Sequence, residues 1–263
     1  MKENKIKIIY NQKINLIKKY NQNYYDKNKP SVTDQVYDNL KDEILKLENE
    51  YSFLESKFSP SINVGFKPSK TFKKFPHQSP MLSLANAFTE EDLINFEKKI
   101  INYLSEKKNF KIRYSTEPKI DGISASLTYV DGKFKRGLSR GDGKVGEDIT
   151  DNLATIKDIP KRILNKDFPK EIDIRGEVFI RNSDFKNLKE KFANPRNAAS
   201  GSLRQKNPED TKKIPLNFIA YTFGFEKGLS INNQSDYLKE LDKWGFKVNP
   251  LNKLISGVNN LIE

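Results

Sequence analysis

The sequence predicts an α+β protein in which a small helical hairpin precedes a domain built on antiparallel sheet. Three observations support this prediction. Apolar residues recur at helical spacing near the N-terminus, the period becomes strand-like from about residue 110, and Asp131-Gly132 supplies a tight hairpin turn between two such strands. A chain of 263 residues suits one large domain or two smaller ones. We expect two, at residues 1–68 and 69–263.

The helical part rests on two amphipathic segments at about residues 5–25 and 33–50. Thr33 is the expected N-cap of the second segment, and the run of acidic residues after Thr89 predicts that a third helix begins there. Residues 56–80 are rich in Ser, Pro, Lys and Phe and show no clear period. This stretch is therefore expected to be an extended connection.

The sheet part rests on short apolar runs bounded by turn residues. Further helices are expected near residues 184–191 and at about 234–244, and the Gly- and Ala-rich stretch around Ser200-Gly201-Ser202 is expected to form a turn. The predicted strands cover residues 110–116, 123–130, 133–139, 171–181 and 216–225.

The composition excludes several classes of protein. The chain has no cysteine and one histidine, His77, which argues against disulfides, cysteine-ligated zinc and a histidine-based metal site. The N-terminus has no uninterrupted apolar run, so neither a signal peptide nor a membrane span is expected there, and a bacterial-type cytoplasmic location is predicted. The net charge of +12 indicates either affinity for polyanions or a general lysine bias, since the lysines are spread along the chain.

Six blocks of residues carry the candidate chemistry, and the central one is Glu117-x-Lys119-x-Asp121-Gly122. A lysine that lies between two strands and beside Glu117 and Asp121 suits a covalent amine nucleophile. An Asp-Gly pair by itself, however, most often marks a turn. The other blocks are Tyr24-Tyr25 with Asp34-x-x-Tyr37-Asp38, His77-x-x-Pro80-Met81-Leu82-Ser83-Leu84-x-Asn86-x-Phe88, Ser139-Arg140-Gly141-Asp142-Gly143-x-x-Gly146-Glu147-Asp148-x-Thr150, Arg175-Gly176-Glu177-Val178, and Phe192-Ala193-Asn194-Pro195-Arg196 through Arg204-Gln205.

Taken in their order along the chain, the six blocks resemble the N-terminal half of bacterial NAD-dependent DNA ligases. The resemblance implies a helical subdomain at 1–68 that binds nicotinamide mononucleotide (NMN), followed by an ATP-grasp-like nucleotidyltransferase domain at 69–263 that is incomplete at its C-terminus. It implies that Lys119 attacks the α-phosphate of NAD, releases NMN and carries AMP. The AMP then passes to the 5′-phosphate of a DNA nick, which the 3′-hydroxyl seals.

The resemblance also assigns the nucleotide contacts. Glu117 is expected to meet the adenine amino group or neighbouring backbone, Glu177 the ribose hydroxyls, and Arg140 the ribose or phosphate. Ser83 and Leu84 are expected to line the pocket near the adenine. A free lysine amine is mostly protonated at neutral pH. Burial and nearby cations are therefore expected to favour the reactive, neutral amine.

Two further groups of residues follow from the same resemblance. Arg196 and Arg204 are expected to face DNA or the 5′-phosphate, because arginine suits backbone phosphates. Tyrosines that stack on the nicotinamide ring and carboxylates that accept its ribose hydroxyls form the NMN group. That group comprises Tyr24, Tyr25, Asp34, Tyr37 and Asp38.

The resemblance further implies the partners and cofactors of the reaction. The partner is nicked double-stranded DNA, with the protein acting as a monomer away from membranes. Mg²⁺ or Mn²⁺ is expected as a charge neutraliser, and zinc only in family domains beyond residue 263. Asp121 and Asp142 could help place the metal, but turn formation explains them equally well, and no metal ligand is assigned.

Two alternatives remain open from the sequence. The chain lacks the family's two downstream lysine blocks, so one alternative is a fragment that only binds nucleotide or DNA. An ATP-dependent nucleotidyltransferase that uses the same lysine is the other. Small departures from the family pattern, Ser200 in place of alanine and Lys206-Asn207 after the glutamine, are not expected to disturb Arg196 or Arg204.

Overall fold

The fold consists of a helical hairpin and an α+β region, as the sequence predicts. The computed structural model describes residues 2–23, 31–54, 56, 59, 72–105, 110–188 and 190–263. Tyr24, Tyr25 and the expected domain boundary at 68/69 lie outside the described residues.

The helices and strands differ widely in length, from three-residue strands to a helix of 20 residues. The helices are α1 (Lys2–Asn21), α2 (Asp34–Glu50), α3 (Glu90–Tyr103), α4 (Thr150–Leu153), α5 (Asn182–Phe185), α6 (Pro195–Leu203), α7 (Pro208–Lys212), α8 (Gln234–Lys243) and α9 (Val258–Ile262). The strands are β1 (Lys74–Pro76), β2 (Arg113–Thr116), β3 (Ile123–Val130), β4 (Lys133–Ser139), β5 (Val145–Glu147), β6 (Glu171–Phe179), β7 (Asn217–Lys227) and β8 (Lys253–Ser256).

The hairpin is held by one apolar seam between α1 and α2. Tyr10, Ile14 and Ile17 from the first helix pack against Leu40 and Ile44 from the second. Thr33 caps α2 by accepting a hydrogen bond from the Val36 backbone N–H, as its sequence position predicts. The seam therefore fixes which face of α2 is turned outward.

The core of the α+β region is a four-stranded antiparallel sheet in the order β4-β3-β6-β7. Strand β6 lies in the middle, and most of its residues are buried. Aromatic side chains cover one face: Tyr129 contacts the rings of Phe134, Phe168 and Phe246. The predicted β3–β4 hairpin is confirmed, since Asp131 and Gly132 both have positive φ, 48° and 70°, as a type I′ turn requires.

Two small sheets lie beside this core. Strands β1 and β5 pair, which brings the segment after β1 alongside the turn that precedes β5. Strands β2 and β8 form the second pair, with α3 and α9 in contact beside it. The sequence predicts few of these short strands and helices, because three to five residues show no measurable period.

The expected turn around Ser200-Gly201-Ser202 is wrong, because these residues lie in helix α6. Asn194 caps the helix by accepting from the Asn197 N–H at 2.8 Å, and Pro195 occupies its first turn. Ala198 and Ala199 are fully buried, so small residues here permit close packing. The helix expected near 184–191 is shorter, ending as α5 and a 3₁₀ turn at Lys186–Leu188.

A helix that crosses a membrane must be both long and apolar. Within the described part of the chain, none of the helices meets that requirement.

Candidate functional site

Lys119 lies in the connection between β2 and β3, as the sequence predicts, and its residue is exposed. The expectation that burial would surround this lysine is therefore wrong for the chain by itself. Next to it, Asp121 accepts a hydrogen bond from Arg196 Nη1 at 2.9 Å. This contact joins the lysine connection to α6, so a residue expected to face DNA lies next to the expected nucleophile.

Glu177 lies on β6 directly opposite Ser124 of β3, and its carboxylate accepts from the Ser124 hydroxyl at 2.8 Å. Burial raises the pKa of Glu177, while the Ser124 hydrogen bond and the positive charges of Arg196 and Lys119 act in the opposite direction. Lys119 is therefore close enough to Glu177 to influence its ionisation. The two residues lie at one site.

Gly122 keeps the lysine connection against β6. A Cβ at this position would lie 2.3 Å from the Val178 carbonyl oxygen and 2.9 Å from the Glu177 side chain. Any larger residue would therefore push the connection away from the carboxylate. The Asp121-Gly122 pair therefore lets the lysine connection lie close to β6 and also change direction.

Glu117 is half-buried and follows the end of β2. Its Oε1 accepts a hydrogen bond from Gln234 Nε2 at 2.8 Å, and the same nitrogen donates to the Tyr221 carbonyl oxygen at 2.5 Å. Burial raises the pKa of Glu117, and the Gln234 hydrogen bond opposes that rise. A carboxylate is thus held in a defined orientation.

Arg140 follows β4 and leads into a glycine turn. Gly141 and Gly143 have φ values of 56° and 87°, and Asp142 accepts from the Lys144 and Val145 backbone N–H groups. This confirms the expected turn beside Arg140 and gives Asp142 a structural role. The Arg140 guanidinium donates to Ser83 Oγ at 2.9 Å, so two predicted nucleotide contacts are brought together.

The Arg140 guanidinium retains unused hydrogen-bonding capacity. Its Nε is buried and has no hydrogen-bond partner within the described part of the chain. A buried donor of this kind is satisfied when a phosphate or ribose oxygen lies beside it. The residue present therefore fits the expected nucleotide contact.

The segment Ser79–Leu84, here called the strap, is held by Arg175 of β6. The Arg175 guanidinium donates to the Pro80 carbonyl oxygen at 3.1 Å and to the Ser79 carbonyl oxygen at 2.5 Å. Gly224 leaves room for this side chain, since a Cβ there would lie 2.6 Å from Arg175 Nη2. The strap is thus fixed from the sheet side.

His77 lies just before the strap and braces the same end of it against the glycine turn. Its Nε2 lies 3.1 Å from the Arg140 carbonyl oxygen, which can only accept, so this nitrogen carries the proton. Burial lowers the pKa of His77. No role for this residue follows from the motifs alone, and the structure makes it a neutral brace between the strap and the glycine turn.

Tyr221 of β7 lies among the predicted contacts, although no motif predicts it. Burial raises the pKa of its hydroxyl, Glu177 raises it further, and a Ser124 hydrogen bond and Arg140 act against the rise. Its backbone carbonyl also accepts from Gln234, the partner of Glu117. The sequence carries no signal for Tyr221 or Gln234, because strand pairing and helix docking bring them to the site from distant positions.

Arg204 follows the end of α6, where its Nε donates to the fully buried Glu147 of β5 at 3.1 Å. A buried carboxylate needs such a partner. Arg196 and Arg204 thus lie at the two ends of α6, and the structure gives each an acidic partner within the chain.

The remaining predicted residues are placed less closely together. Leu84 is 77% exposed, so it is a surface residue of the strap. The Tyr37 hydroxyl donates to Asn21 Oδ1 at 2.8 Å, and its ring packs against the hairpin seam. Asp34 and Asp38 lie on α2 with Tyr37 at the predicted i, i+3, i+4 spacing.

A metal site would need several acidic or imidazole ligands close together. Within the described residues, no three Asp, Glu, His or Cys side chains cluster in a way that could hold a metal ion.

Comparison with known protein families matches the chain in two parts. Residues 3–65 match the DNA ligase-like, N-terminal NAD⁺-binding domain, and residues 69–263 match the NAD-dependent DNA ligase adenylation domain. The second match alone covers most of the chain.

Individual relatives agree with the family match. The chain is 63% identical to a DNA ligase of Pelagibacter ubique (strain HTCC1062) over 262 residues, which cover 100% of this chain and 39% of the relative. It is 43% identical to a DNA ligase of Parvibaculum lavamentivorans, with 94% and 36% covered. A DNA ligase of Clostridioides difficile (strain 630) is 40% identical, with 96% and 38% covered. The chain therefore spans less than two fifths of the length of these curated relatives.

Proposed function

Because this chain belongs to the NAD-dependent DNA ligase family, we propose that it performs the first step of that family's reaction, the transfer of AMP from NAD to Lys119. The observation that supports this most is the convergence of Lys119, Glu177, Asp121 and Arg196 at one site. An exposed amine beside a buried acid and a nearby guanidinium suits attack on a phosphate.

The step balances as a substitution at phosphorus. The Lys119 Nζ lone pair forms a bond to the α-phosphorus of NAD, and the bond from that phosphorus to the bridging oxygen breaks. The electron pair leaves with NMN, and the amine loses its proton to solvent. Since Lys119 is exposed in the chain itself, exclusion of water from the amine falls to the bound dinucleotide.

The AMP half is proposed to bind between the strap and the sheet. Glu177 accepts the ribose hydroxyls, and Arg140 supplies a charged donor to the ribose or phosphate. Ser83 and Leu84 border the base from the strap, and Glu117 accepts from the adenine amino group. The existing contact between Arg140 and Ser83 supports a common binding surface.

The NMN half is proposed to bind the hairpin beside the N-terminal half of α2. Asp34, Tyr37 and Asp38 follow the i, i+3, i+4 spacing there, and the sequence adds Tyr24 and Tyr25 to the group. The packing of Tyr37 against the seam leaves its hydroxyl end as the part suited to a polar contact.

The later steps are proposed for the whole protein of which this chain is the N-terminal match. AMP would pass to the 5′-phosphate of nicked double-stranded DNA, with Arg196 and Arg204 near the phosphates, and the nick would be sealed by the 3′-hydroxyl. Such sealing serves DNA replication and repair in the bacterial cytoplasm, with the protein as a monomer. We propose that Mg²⁺ binds mainly through the substrate phosphates, a mode that needs few protein ligands.

Intact mass measurement after incubation with NAD and Mg²⁺ tests the proposed first step. We expect one AMP adduct on the full 263-residue chain. Lys119→Ala should lose the adduct, and Lys157→Ala, an exposed lysine outside the site, should keep it. An adduct that survives Lys119→Ala would contradict the role of Lys119.

Two further arms separate the alternatives. Labelled ATP should give no adduct; an adduct from ATP without one from NAD would favour the ATP-dependent alternative. Asp38→Ala should slow the adduct from NAD and leave AMP affinity unchanged, because it removes only an NMN contact. Binding of AMP without any adduct would favour the fragment that only binds nucleotide.

A further inference from the structure

Gln234 is a half-buried residue that contacts the proposed nucleotide site, and it belongs to none of the six sequence blocks. It is the first residue of α8, and its amide reaches Glu117, which is remote in sequence. Its nitrogen donates twice, to Glu117 Oε1 at 2.8 Å and to the Tyr221 carbonyl oxygen at 2.5 Å. One amide therefore links the helix, the last strand of the main sheet and the Glu117 carboxylate.

The orientation of this amide follows from chemistry. A backbone carbonyl oxygen only accepts hydrogen bonds, so the Gln234 atom beside Tyr221 must be the NH₂ nitrogen. The same nitrogen then has one remaining hydrogen, which points to Glu117 Oε1. Gln234 consequently requires Glu117 to be an acceptor at that oxygen.

The contact has no evident role in starting the helix. Asn233 caps α8 by accepting from the Asp236 backbone N–H at 2.9 Å, which satisfies the helix terminus without Gln234. The Gln234 side chain is thus available to orient Glu117. Burial raises the pKa of this carboxyl, and the amide hydrogen bond opposes the rise and so favours ionisation.

We propose that Gln234 is a positioning residue that sets the purine preference of the site by holding Glu117 as an acceptor. An acceptor-only carboxylate pairs with the 6-amino group of adenine and leaves the 6-oxo group of hypoxanthine or guanine opposite another acceptor. The site thereby takes adenine nucleotides and rejects 6-oxopurine nucleotides. This inference rests on the proposed placement of AMP beside Glu117.

The test is equilibrium binding of AMP and inosine monophosphate to the full chain, measured by calorimetry. The wild type should bind AMP at least about tenfold more tightly, since the mismatch leaves a charged acceptor unpaired. Gln234→Leu should weaken AMP about tenfold and leave inosine monophosphate nearly unchanged, so the preference falls. Gln234→Glu, which sets a second carboxylate beside Glu117 and favours protonation of the pair, should lower the preference as well.

Gln78→Leu is the matched control. Gln78 is exposed, and its amide donates to the Glu171 carboxylate at 3.1 Å. The variant therefore loses the same kind of amide–carboxylate hydrogen bond, but at the first residue of β6 and away from Glu117. It should keep the wild-type preference. A structural role for Gln234 would instead weaken both nucleotides by the same factor, and that outcome overturns the proposal, as does a wild type that does not discriminate.

The outcome is separable from that of the proposed function. If the wild type prefers AMP and Gln234→Leu loses that preference, but no adduct forms with NAD, the first-step proposal fails and the role of Gln234 stands. If the wild type forms the adduct and Gln234→Leu retains the full preference for AMP, the role of Gln234 fails alone.

Discussion

The four-stranded sheet and the β2–β8 pair differ in how much of their surface is buried. In β6, the residues from Ile172 to Val178 are all buried, whereas β8 presents three of its four residues to solvent. Helix α3, which lies beside the pair, has no fully buried residue. Lys119 lies in the connection that joins these two regions, so the expected nucleophile links a well-packed scaffold to a lightly packed one.

This difference divides the candidate site. Glu177, Ser124 and Tyr221 belong to the packed sheet and are fixed by its core. Glu117 follows the lightly packed strand β2 and is held by a side-chain contact to Gln234. A region with little buried apolar surface opens at lower free energy, so we expect the Glu117 side of the site to open before the Glu177 side.

The largest expected effect comes from removing the same side chain in each region. Ile174→Ala, at a fully buried position of β6, should lower the free energy of unfolding by about 2–5 kcal/mol. Ile255→Ala on β8 should cost less than about 1 kcal/mol, because Ile255 is only partly buried. Urea unfolding followed by the fluorescence of Trp244, the single tryptophan, measures the core directly. Equal losses would contradict the division.

The second comparison is between the same arginine-to-lysine change made in each of the two regions. Arg175→Lys should lower the free energy of unfolding by about 1–3 kcal/mol, because the guanidinium serves two strap carbonyls that one ammonium cannot serve in the same geometry. Arg113→Lys, on an exposed position of β2, should change it by less than about 0.5 kcal/mol. Nucleotide binding should weaken only in Arg175→Lys, because the released strap carries Ser83. Loss of binding in both would remove the distinction.

The regular parts of this fold could be predicted because β3, β4, β6, β7, α2 and α8 are long enough to show a period or carry clear turn signals. The prediction failed for α6, whose small residues hide the helix. The strand at β2 was expected, but β1, β5 and β8 of the two small sheets were not, because these short strands are held by pairing with distant parts of the chain. Among the site residues, the motifs pointed to Lys119, Glu177 and Arg140. Gln234 and Tyr221 could not be predicted, because their contacts depend on where a helix starts beside a distant strand.

A third comparison uses two acids whose pKa values move in opposite directions. Burial raises the pKa of Glu177, so the folded state binds more protons, and stability falls as pH rises from the ordinary pKa of 4.5 through the folded one. The Glu177→Gln variant has no carboxyl group to ionise at this position. Its free energy of unfolding should therefore not show this decrease as the pH rises. The same change should weaken nucleotide binding, because an amide replaces the acceptor-only carboxylate.

Asp92 provides the opposite case in the lightly packed region. Hydrogen bonds from the Phe88 backbone and from Thr89 lower its pKa, so its contribution is present above the ordinary pKa of 3.8 and is lost as pH falls through the folded one. Asp92→Asn should therefore make α3 less protected at neutral pH and change nothing in strong acid. Hydrogen exchange across pH checks both signs, and parallel curves for the two variants would contradict the assignment.

The smallest expected effect concerns the two helix caps. Thr89 accepts from the Asp92 backbone N–H at 3.1 Å in a capping box, and Thr89→Ala should destabilise α3 by about 1 kcal/mol. Since α3 has no fully buried residue, this loss should appear as faster hydrogen exchange in α3, with the Trp244 unfolding midpoint unchanged.

Asn194→Ala removes the corresponding cap from α6, whose Ala198 and Ala199 are fully buried beside the sheet. The same chemical loss should therefore lower the Trp244 midpoint, because α6 cannot loosen without exposing core surface. If Thr89→Ala also shifts the Trp244 midpoint, α3 unfolds together with the sheet. The Lys119 connection would then join two parts of one cooperative unit, and the expected earlier opening on the Glu117 side would be wrong.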